Sequence, residues 1–296
     1  MTTDIKLFAI DKQPATEIPG RASTVEKTLH QLIERNLEAL LGIRLLGSEY
    51  STGRKQRGRI DTLGIDENAC PVIIEYKRAT NENVINQGLF YLDWLLDHRS
   101  EFELLVLRKL GEAAAAEIDW SAPRLICIAG GYTRYDEHAV EQMNRNIELI
   151  RYRRFGTKLL MLEMVNASSA EPGPALGNTA GAGRSMSEIL EALDGPLSEL
   201  YEALRRHLKD LGDDIQEKTL QNYVAFRRLR NFARVKVFSD SLRVYLKVDP
   251  TTVALKPGFT EDVRGKGRAA SLSVTLRTLD DLERAKPLFQ QSYEVS

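Results

Sequence analysis

The spacing of apolar and polar positions predicts alternating strands and helices over residues 1–165. Apolar side chains recur at three- and four-residue intervals from Val25 to Leu41, which predicts an amphipathic helix that Gly42 ends. Further helices are predicted at about 80–98, 101–116 and 136–145, and strands at 43–50, 58–66, 71–78, 123–129, 147–152 and 159–165. This order predicts an α/β fold with a mixed central sheet flanked by helices.

The stretch from Asn166 to Arg184 interrupts this pattern. Glycine, proline, alanine and serine dominate it, which is typical of a flexible linker. Beyond it, the pattern predicts a helix at 186–211, strands at 223–226, 233–249 and 271–277, and a closing helix at 279–293. The predicted organisation is a first domain over residues 1–165, a linker over 166–184 and a smaller α+β domain over 185–296.

The composition narrows the class of protein. Hydrophobic residues make up 43% of the chain and charged residues 28%, as in a globular protein. No apolar run approaches the roughly 20 residues that span a bilayer, and the N-terminus lacks the pattern of a signal peptide. Cys70 and Cys127 form neither a metal-type pair nor a disulfide framework. We therefore expect a cytoplasmic protein with no membrane partner. Because the net charge is −1, contact with nucleic acid would require a local basic patch.

The candidate catalytic residues are Asp61, Glu75 and Lys77, which lie on two neighbouring predicted strands. Side chains alternate along a strand, so Ile73, Glu75 and Lys77 share one face. A carboxylate and an ammonium at the end of an apolar strand are costly to bury, and their placement indicates a functional site. Taken alone, Glu75 and Lys77 would instead be read as an ordinary surface pair at a strand edge.

These residue types suit hydrolysis of a phosphodiester. The phosphodiester is shielded by its own negative charge, so the reaction requires a cation, an activated water and stabilisation of the leaving oxygen. Mg²⁺ or Mn²⁺ would be held by the hard oxygens of Asp61 and Glu75, with the Tyr76 carbonyl as a third ligand. Lys77 could then orient the water and offset charge on the phosphate.

Three short motifs resemble a known family. The chain reads Gly-Arg-Ile-Asp at 58–61 and Ile-Glu-Tyr-Lys at 74–77, and Gln87 and Tyr91 follow on the next predicted helix. These motifs resemble the PD-(D/E)xK nuclease superfamily, the fold of restriction endonucleases and archaeal Holliday-junction resolvases. The nearest branch is that of the NucS/EndoMS-like mismatch endonucleases. The resemblance covers about residues 20–100 well and extends loosely to residue 165.

The resemblance implies a role for each motif residue. Asp61 and Glu75 would bind the metal, Lys77 would position or activate water, and Gln87 and Tyr91 would support the site and the DNA backbone. Gln87 and Tyr91 are four residues apart and share a helix face. The alternative for these two residues is an ordinary amphipathic helix in which Tyr91 belongs to the core.

The family also carries an acid on the helix before its first strand. That helix offers Glu26, Glu34 and Glu38 here, and the register of the family motif favours Glu26 as the catalytic acid. A short insertion at residues 54–57 blurs this spacing, so Glu34 and Glu38 stay open. Ile60 replaces the proline that usually precedes the family's aspartate.

Basic residues beside the predicted site are candidates for contact with the DNA backbone. They are Arg54, Lys55, Arg57 and Arg59, which directly precede Asp61. Such a loop would hold phosphates and make binding sensitive to salt. The alternative is a solvated turn.

The second domain contains a further basic and aromatic run, from Arg227 to Lys236. Arg227, Arg228 and Arg230 are predicted to contact nucleic acid, because mixed cations and rings suit phosphate contact and base stacking. The alternative is a strand pair with charged outer faces. Residues 185–296 also resemble a domain of unknown function that has been described as a predicted transport protein, although the chain contains no transport machinery.

The sequence therefore predicts a DNA endonuclease that depends on Mg²⁺ or Mn²⁺, with RNA as an alternative substrate. The resemblance implies a homodimer, because nucleases of this fold that cut both strands usually pair two sites. The alternative function is a nucleic-acid-binding or regulatory module that keeps the fold without cutting. The four histidines, His30, His98, His138 and His207, lack metal-site spacing and are predicted to be structural.

Overall fold

The protein forms two compact units. The computed structural model describes residues 5–10, 15–21, 26–77, 83–170, 184–264 and 270–296. The chain divides into Met1–Pro174 and Ala175–Ser296. Most of the predicted linker, residues 171–183, lies outside the described residues.

A mixed sheet forms the centre of the first unit. Its strands are β1 (Leu7–Ala9), β2 (Thr16–Ile18), β3 (Gly20–Arg21), β4 (Ile43–Ser51), β5 (Arg59–Asp66), β6 (Pro71–Lys77), β7 (Arg124–Ala129), β8 (Asn146–Phe155) and β9 (Leu159–Ser168). The main sheet has the order β3-β8-β7-β6-β5-β4, and β9 also pairs with β8, whereas β1 and β2 form a separate hairpin. Strands β6, β7 and β8 are parallel and their neighbours are antiparallel. This arrangement confirms the predicted α/β class with a mixed central sheet flanked by helices.

Helices cover the two faces of this sheet. They are α1 (Glu26–Arg35), α2 (Leu37–Leu41), α3 (Gly53–Gln56), α4 (Asn83–Asp97), α5 (Arg99–Leu110), α6 (Glu112–Ala116) and α7 (Arg134–Glu141). On one face, Leu63 and Ile73 belong to the same buried cluster as Leu95 of α4. Helix α4 lies close to the sheet because it carries Gly88, where a Cβ atom would lie 2.5 Å from Leu125.

Two predicted helices of the first unit are interrupted in the structure. The predicted helix at 25–41 divides at Asn36, whose side-chain amide donates to the Leu32 carbonyl at 2.9 Å. Gly42 ends the second segment, as predicted, with a φ of 66°. The predicted helix at 101–116 divides at Gly111, whose φ of 90° no helix can contain. The apolar periodicity continues across both breaks, so the pattern alone could not place them.

The second unit is an antiparallel sheet with helices on one face. Its strands are β10 (Gln216–Thr219), β11 (Val224–Arg227), β12 (Asn231–Val237), β13 (Leu242–Leu246), β14 (Thr260–Asp262) and β15 (Leu272–Leu276), in the order β10-β11-β12-β13-β15-β14. Its helices are α8 (Met186–Glu191), α9 (Gly195–Lys209) and α10 (Leu279–Glu294). Residues of α9 and α10 share one buried cluster with one face of the sheet. This unit agrees with the predicted α+β domain.

Some elements differ from the prediction. Strands β10 and β14 have only 4 and 3 residues, and neither was predicted. The predicted helix at 186–211 divides before Gly195, which has a φ of 60°. Strand β9 continues through Ser168, into the predicted linker, because that residue pairs with Ile147 of β8. Among the described residues, no helix is long and apolar enough to cross a membrane.

Candidate active site

Hydrogen bonds hold Asp61 and Glu75 next to each other on the paired strands β5 and β6. The Asp61 backbone N–H donates to Glu75 Oε1 at 3.1 Å, and the Tyr76 backbone N–H donates to Asp61 Oδ2 at 3.0 Å. The strand pairing of Thr62 with Ile74 places Asp61 directly beside Glu75 on one face of the sheet. The two acids that the sequence singled out therefore lie side by side.

Burial gives Glu75 an unusual protonation equilibrium. Its side chain is fully buried, at 0% exposure. Burial and, to a smaller extent, the neighbouring Asp61 carboxylate raise the pKa of Glu75 to about 8, although the Asp61 N–H and the Lys77 ammonium act in the opposite direction. A cation bound beside this carboxyl would favour its ionised form.

Helix α4 holds Glu75 from its other side. Gln87 Nε2 donates to Glu75 Oε2 at 3.0 Å and approaches the Tyr91 hydroxyl at 3.4 Å. The Tyr91 hydroxyl accepts the Arg59 backbone N–H at 3.1 Å, which ties α4 to the start of β5. Tyr91 is 6% exposed. This burial argues against the predicted contact between Tyr91 and DNA. The Tyr91 hydroxyl instead supports the start of β5.

Close steric contacts explain why the first residue of the Gly-Arg-Ile-Asp motif is glycine. A Cβ atom at Gly58 would lie 2.5 Å from Tyr91 Cε1 and 2.9 Å from the Thr52 hydroxyl. The Gly58 N–H also donates to that hydroxyl at 2.9 Å. Only glycine allows this strand to begin so close to the Tyr91 ring.

Lys77 lies at the end of β6 on the same side of the sheet as Glu75. It pairs with Ala129 of the parallel strand β7 and is partly exposed. Its charge acts on the pKa of Glu75, which places the ammonium within electrostatic reach of the acid pair. The predicted alternation of Glu75 and Lys77 on one face agrees with this register.

A polar cluster on the opposite face of the same strands was not foreseen. Thr62 donates to Glu34 at 2.7 Å and contacts His30 at 3.2 Å and the Tyr76 hydroxyl at 3.2 Å. His30 Nε2 lies 2.9 Å from Glu34 and its ring stacks on Tyr76 at 4.8 Å. The i, i+4 spacing of His30 and Glu34 was the one sequence signal for this cluster.

The three glutamates considered for the helix acid differ in their contacts with the sheet. Glu34 bonds to Thr62, the residue next to Asp61, and is almost buried. The side chain of Glu26, which the sequence analysis favoured, lies outside the described part of the structure. Glu38 lies on α2, beyond the break at Asn36. Of these glutamates, Glu34 is the one with a described contact to β5.

The predicted basic loop lies on α3 and the residues that follow it. Arg57 ends α3 with a φ of 50°, and Arg59 forms an ion pair with Glu49 at 3.5 Å. The side chains of Arg54 and Lys55 lie outside the described part of the structure. Arg59 is exposed, so its charge is partly offset by Glu49 but remains accessible.

The predicted contacts of the second unit do not form one patch. Arg227 is 5% exposed, which argues against its predicted contact with nucleic acid. Arg228 pairs with Asp214 at 2.7 Å, and Arg230 donates to the Val295 carbonyl at 2.6 Å. Arg227 ends β11, whereas Arg228 and Arg230 lie in the turn before β12, so strand alternation does not bring the three arginines onto one face.

A second charged cluster lies at the other end of β5. Arg124, at the start of β7, donates to Asp66 at 2.7 Å and to Glu148 at 2.8 and 2.9 Å. The three residues are buried, and the two carboxylates raise the pKa of the guanidinium against the effect of burial. Each charge of this triad therefore has a partner of opposite sign.

Comparison with known proteins identifies the second unit only by a family of unknown role. Residues 186–296 match a "Domain of unknown function (DUF5655)". The chain is 26% identical to an uncharacterized protein of Haemophilus influenzae over 306 residues, which covers 97% of this chain and 99% of that relative.

Two solved structures are similar to part of the chain. One is a repair endonuclease from Pyrococcus abyssi, at 19% identity over 44% of this chain and 48% of that one. The other is an EndoMS–dsDNA2 complex, at 20% identity over 44% of this chain and 45% of that one. The match thus spans under half of each solved chain, and its TM-score of 0.29 is too low to assign a function.

Proposed function

We propose that the first unit hydrolyses phosphodiester bonds of DNA with Mg²⁺ or Mn²⁺ held by Asp61 and Glu75. The observation that carries this proposal is the interlocked acid pair, in which burial and a like charge raise the pKa of Glu75 to about 8. Ionising both carboxylates is unfavourable in the absence of a cation and becomes favourable when a cation binds between them.

The donor set fits a hard divalent cation. Among the described residues, no group of three or more histidines, cysteines and acids is close enough to hold a metal. Mg²⁺ commonly binds proteins through one or two carboxylates and keeps several waters, so Asp61 and Glu75 meet its needs. The Tyr76 carbonyl remains the proposed third ligand. Structural zinc sites are built from cysteine and histidine ligands, and neither residue type belongs to this acid pair.

When bound, the cation would lower the pKa of its water and polarise the phosphate. The protein's own residues do the rest. The Tyr76 N–H orients the Asp61 carboxylate, and Gln87 orients that of Glu75. Lys77 follows Glu75 on the same face, where its ammonium can direct the attacking water and offset charge on the phosphate. Glu34 bonds to Thr62 on the opposite face of the sheet and is not assigned to the reaction, so Glu26 stays the predicted helix acid.

The first test is cleavage by Lys77→Ala. The assay uses supercoiled, mismatched, branched and single-stranded DNA with Mg²⁺ or Mn²⁺. We expect the wild type to cut at least one substrate and Lys77→Ala to cut it about 100-fold more slowly or worse, because a charge aimed at the transition state is lost. Lys109→Ala, which removes an exposed lysine of α5, is the matched control and should behave as the wild type.

Metal binding separates cutting from mere DNA binding. Titration calorimetry with Mn²⁺ should detect a site in the wild type and in Asp93→Asn, an exposed acid on α4, but not in Asp61→Asn. If the wild type binds no metal and cuts no substrate, the alternative of a non-cleaving module replaces this proposal. The predicted homodimer, about twice 33.4 kDa, stays a prediction that light scattering can check.

A further inference from the structure

In the second unit, α9 and α10 pack on one face of the sheet. The opposite face carries charged and aromatic side chains. Arg234, Lys236 and Phe238 alternate along β12 and its end, and Arg243 lies directly opposite Lys236 on β13. Val235, between the two cations, points the other way into the cluster with α9 and α10. We call Arg234, Lys236 and Arg243, with the rings of Tyr223 and Phe238, the cationic face.

Aromatic rings accompany each cation of this face. The Arg234 guanidinium lies 5.7 Å from the centre of the Tyr223 ring, and Lys236 Nζ lies 6.0 Å from the same ring. The Arg243 guanidinium lies 5.0 Å from the Phe238 ring. The cations are partly exposed and Phe238 is 42% exposed, so both charge and ring surface are accessible.

The two arginines of this face differ from other arginines of the same unit. Arg205 pairs with Glu217 at 2.8 Å and Arg228 pairs with Asp214 at 2.7 Å. Within the described ranges, no carboxylate forms an ion pair with Arg234 or Arg243. One terminal nitrogen of Arg234 is buried with no hydrogen-bond acceptor among those residues. The charge of these guanidiniums is therefore offset by rings and not by acids.

Two described acids bear on this face: Asp240, in the turn between β12 and β13, forms an ion pair with Arg277 at 3.9 Å, and Glu261 lies far from these arginines. Glu261 of β14 pairs with Ser273, which pairs with Tyr245, which pairs with Arg234. Three strand spacings separate Glu261 from Arg234, or about 14 Å. Tyr245 packs with Val263 and Ala270, so that end of the sheet is covered and the cationic face is confined to the β11–β13 end.

We propose that the cationic face binds single-stranded nucleic acid. Arginines that lack acidic partners would contact phosphates, and accessible rings would stack on bases that have left a duplex. An acidic peptide would need the charges but not the rings. Duplex DNA hides its bases and would leave the ring of Phe238 without a partner. The proposal concerns binding alone and does not depend on hydrolysis by the first unit.

The test is binding of a fluorescent 20-nucleotide oligo(dT) by the full-length protein, in EDTA and at several salt concentrations. Arg234→Gln with Arg243→Gln should weaken binding roughly tenfold or more and flatten the salt dependence by about 1.4 units of logarithmic slope, or about 0.7 for each phosphate contact. Arg206→Gln with Arg284→Gln removes two exposed arginines from α9 and α10 and is the control with the same change in charge.

Phe238→Ala tests the rings without changing the charge. It should weaken binding about fivefold or more at every salt concentration, because a stacked base is lost, and should leave the salt slope unchanged. Thermal unfolding of each variant checks that the fold is retained. Oligo(rU) in place of oligo(dT) should bind through the same residues.

Three results would overturn the proposal. The first is equal affinity of the wild type and the Arg234/Arg243 variant for oligo(dT). The second is binding of a fluorescent blunt 20-base-pair DNA duplex as tightly as oligo(dT), with no effect of Phe238→Ala on either, which would indicate a duplex site. The third is displacement by polyglutamate as readily as by unlabelled oligo(dT), which would indicate an acidic protein partner. Because EDTA excludes cleavage, each of these results leaves the proposed hydrolysis untouched.

Discussion

The two ends of strand β5 bury acids in opposite ways. At one end, Arg124 donates hydrogen bonds to both Asp66 and Glu148, so that each buried carboxylate has a cationic partner. At the other end, Asp61 and Glu75 lie side by side, no arginine among the described residues pairs with either carboxylate, and the pKa of Glu75 rises to about 8. The same sheet therefore contains a closed charge cluster and an open one. The closed cluster contains its own counter-charge, whereas the open one is the proposed cation site.

The closed cluster should be the more costly to disrupt. Arg124→Leu would leave two buried carboxylates without a partner, and we expect it to lower the free energy of unfolding by about 3–5 kcal/mol. Arg145→Leu, at an exposed arginine just before β8, should change it by less than about 0.5 kcal/mol. Urea unfolding measures both. A loss below about 1 kcal/mol for Arg124→Leu would show that Asp66 and Glu148 do not need the guanidinium to stay buried. The two ends of β5 would then not differ in the way described.

The open cluster should give metal-free protein a characteristic dependence on pH. The pKa of Glu75 is about 8 in the folded chain and near 4.5 when unfolded, so the folded state holds more protons between these values. The free energy of unfolding should therefore fall as pH rises from about 5 to 8, by on the order of a few kcal/mol. Mn²⁺ should restore stability at pH 8.

Glu75→Gln isolates this effect. The variant should lose the decline with pH and exceed the wild type in stability at pH 9 in EDTA, because the amide has no charge to desolvate. Glu112→Gln, at an exposed position on α6, should keep the wild-type profile. Parallel profiles for the wild type and Glu75→Gln would mean that Glu75 ionises at its ordinary pH, and that the acid pair is not strained.

A smaller effect is expected at the contact between Gly58 and Tyr91. Gly58→Ala should cost about 1–3 kcal/mol, because the added Cβ atom would lie 2.5 Å from the ring. Tyr91→Leu makes room for that atom, so the double variant should cost less than the sum of the single variants. Strict additivity would show that the steric contact does not determine the choice of glycine.

The sequence alone predicted which face of β6 carries the acid and the lysine, but it did not predict which helix residues contact these strands. Alternation along β6 placed Glu75 and Lys77 on one face, and that register agrees with the structure. The contact of Glu34 with Thr62 could not be predicted, because it depends on how α1 lies across the sheet. Helix periodicity says which face of α1 is apolar but not which strand residue it meets.

The predicted nucleic-acid contacts show the same limit. Arg227, Arg228 and Arg230 are dense in the sequence, yet Arg227 is buried and the other two bond within their own unit. Arg234 and Arg243 are nine residues apart in the sequence and come together only through the pairing of β12 with β13. Charge density along a chain does not measure charge density on a surface, because strand pairing decides which side chains share a face.

The hydrogen bonds between Asp61, Glu75 and Tyr76 connect the acid pair to the register of the sheet. A slip of one residue between β5 and β6 would turn Asp61 to the opposite face and break both bonds. Pairing of these strands and assembly of the acid pair are therefore a single event during folding. Correct strand register therefore assembles the proposed cation site, and a misregistered molecule would lack it.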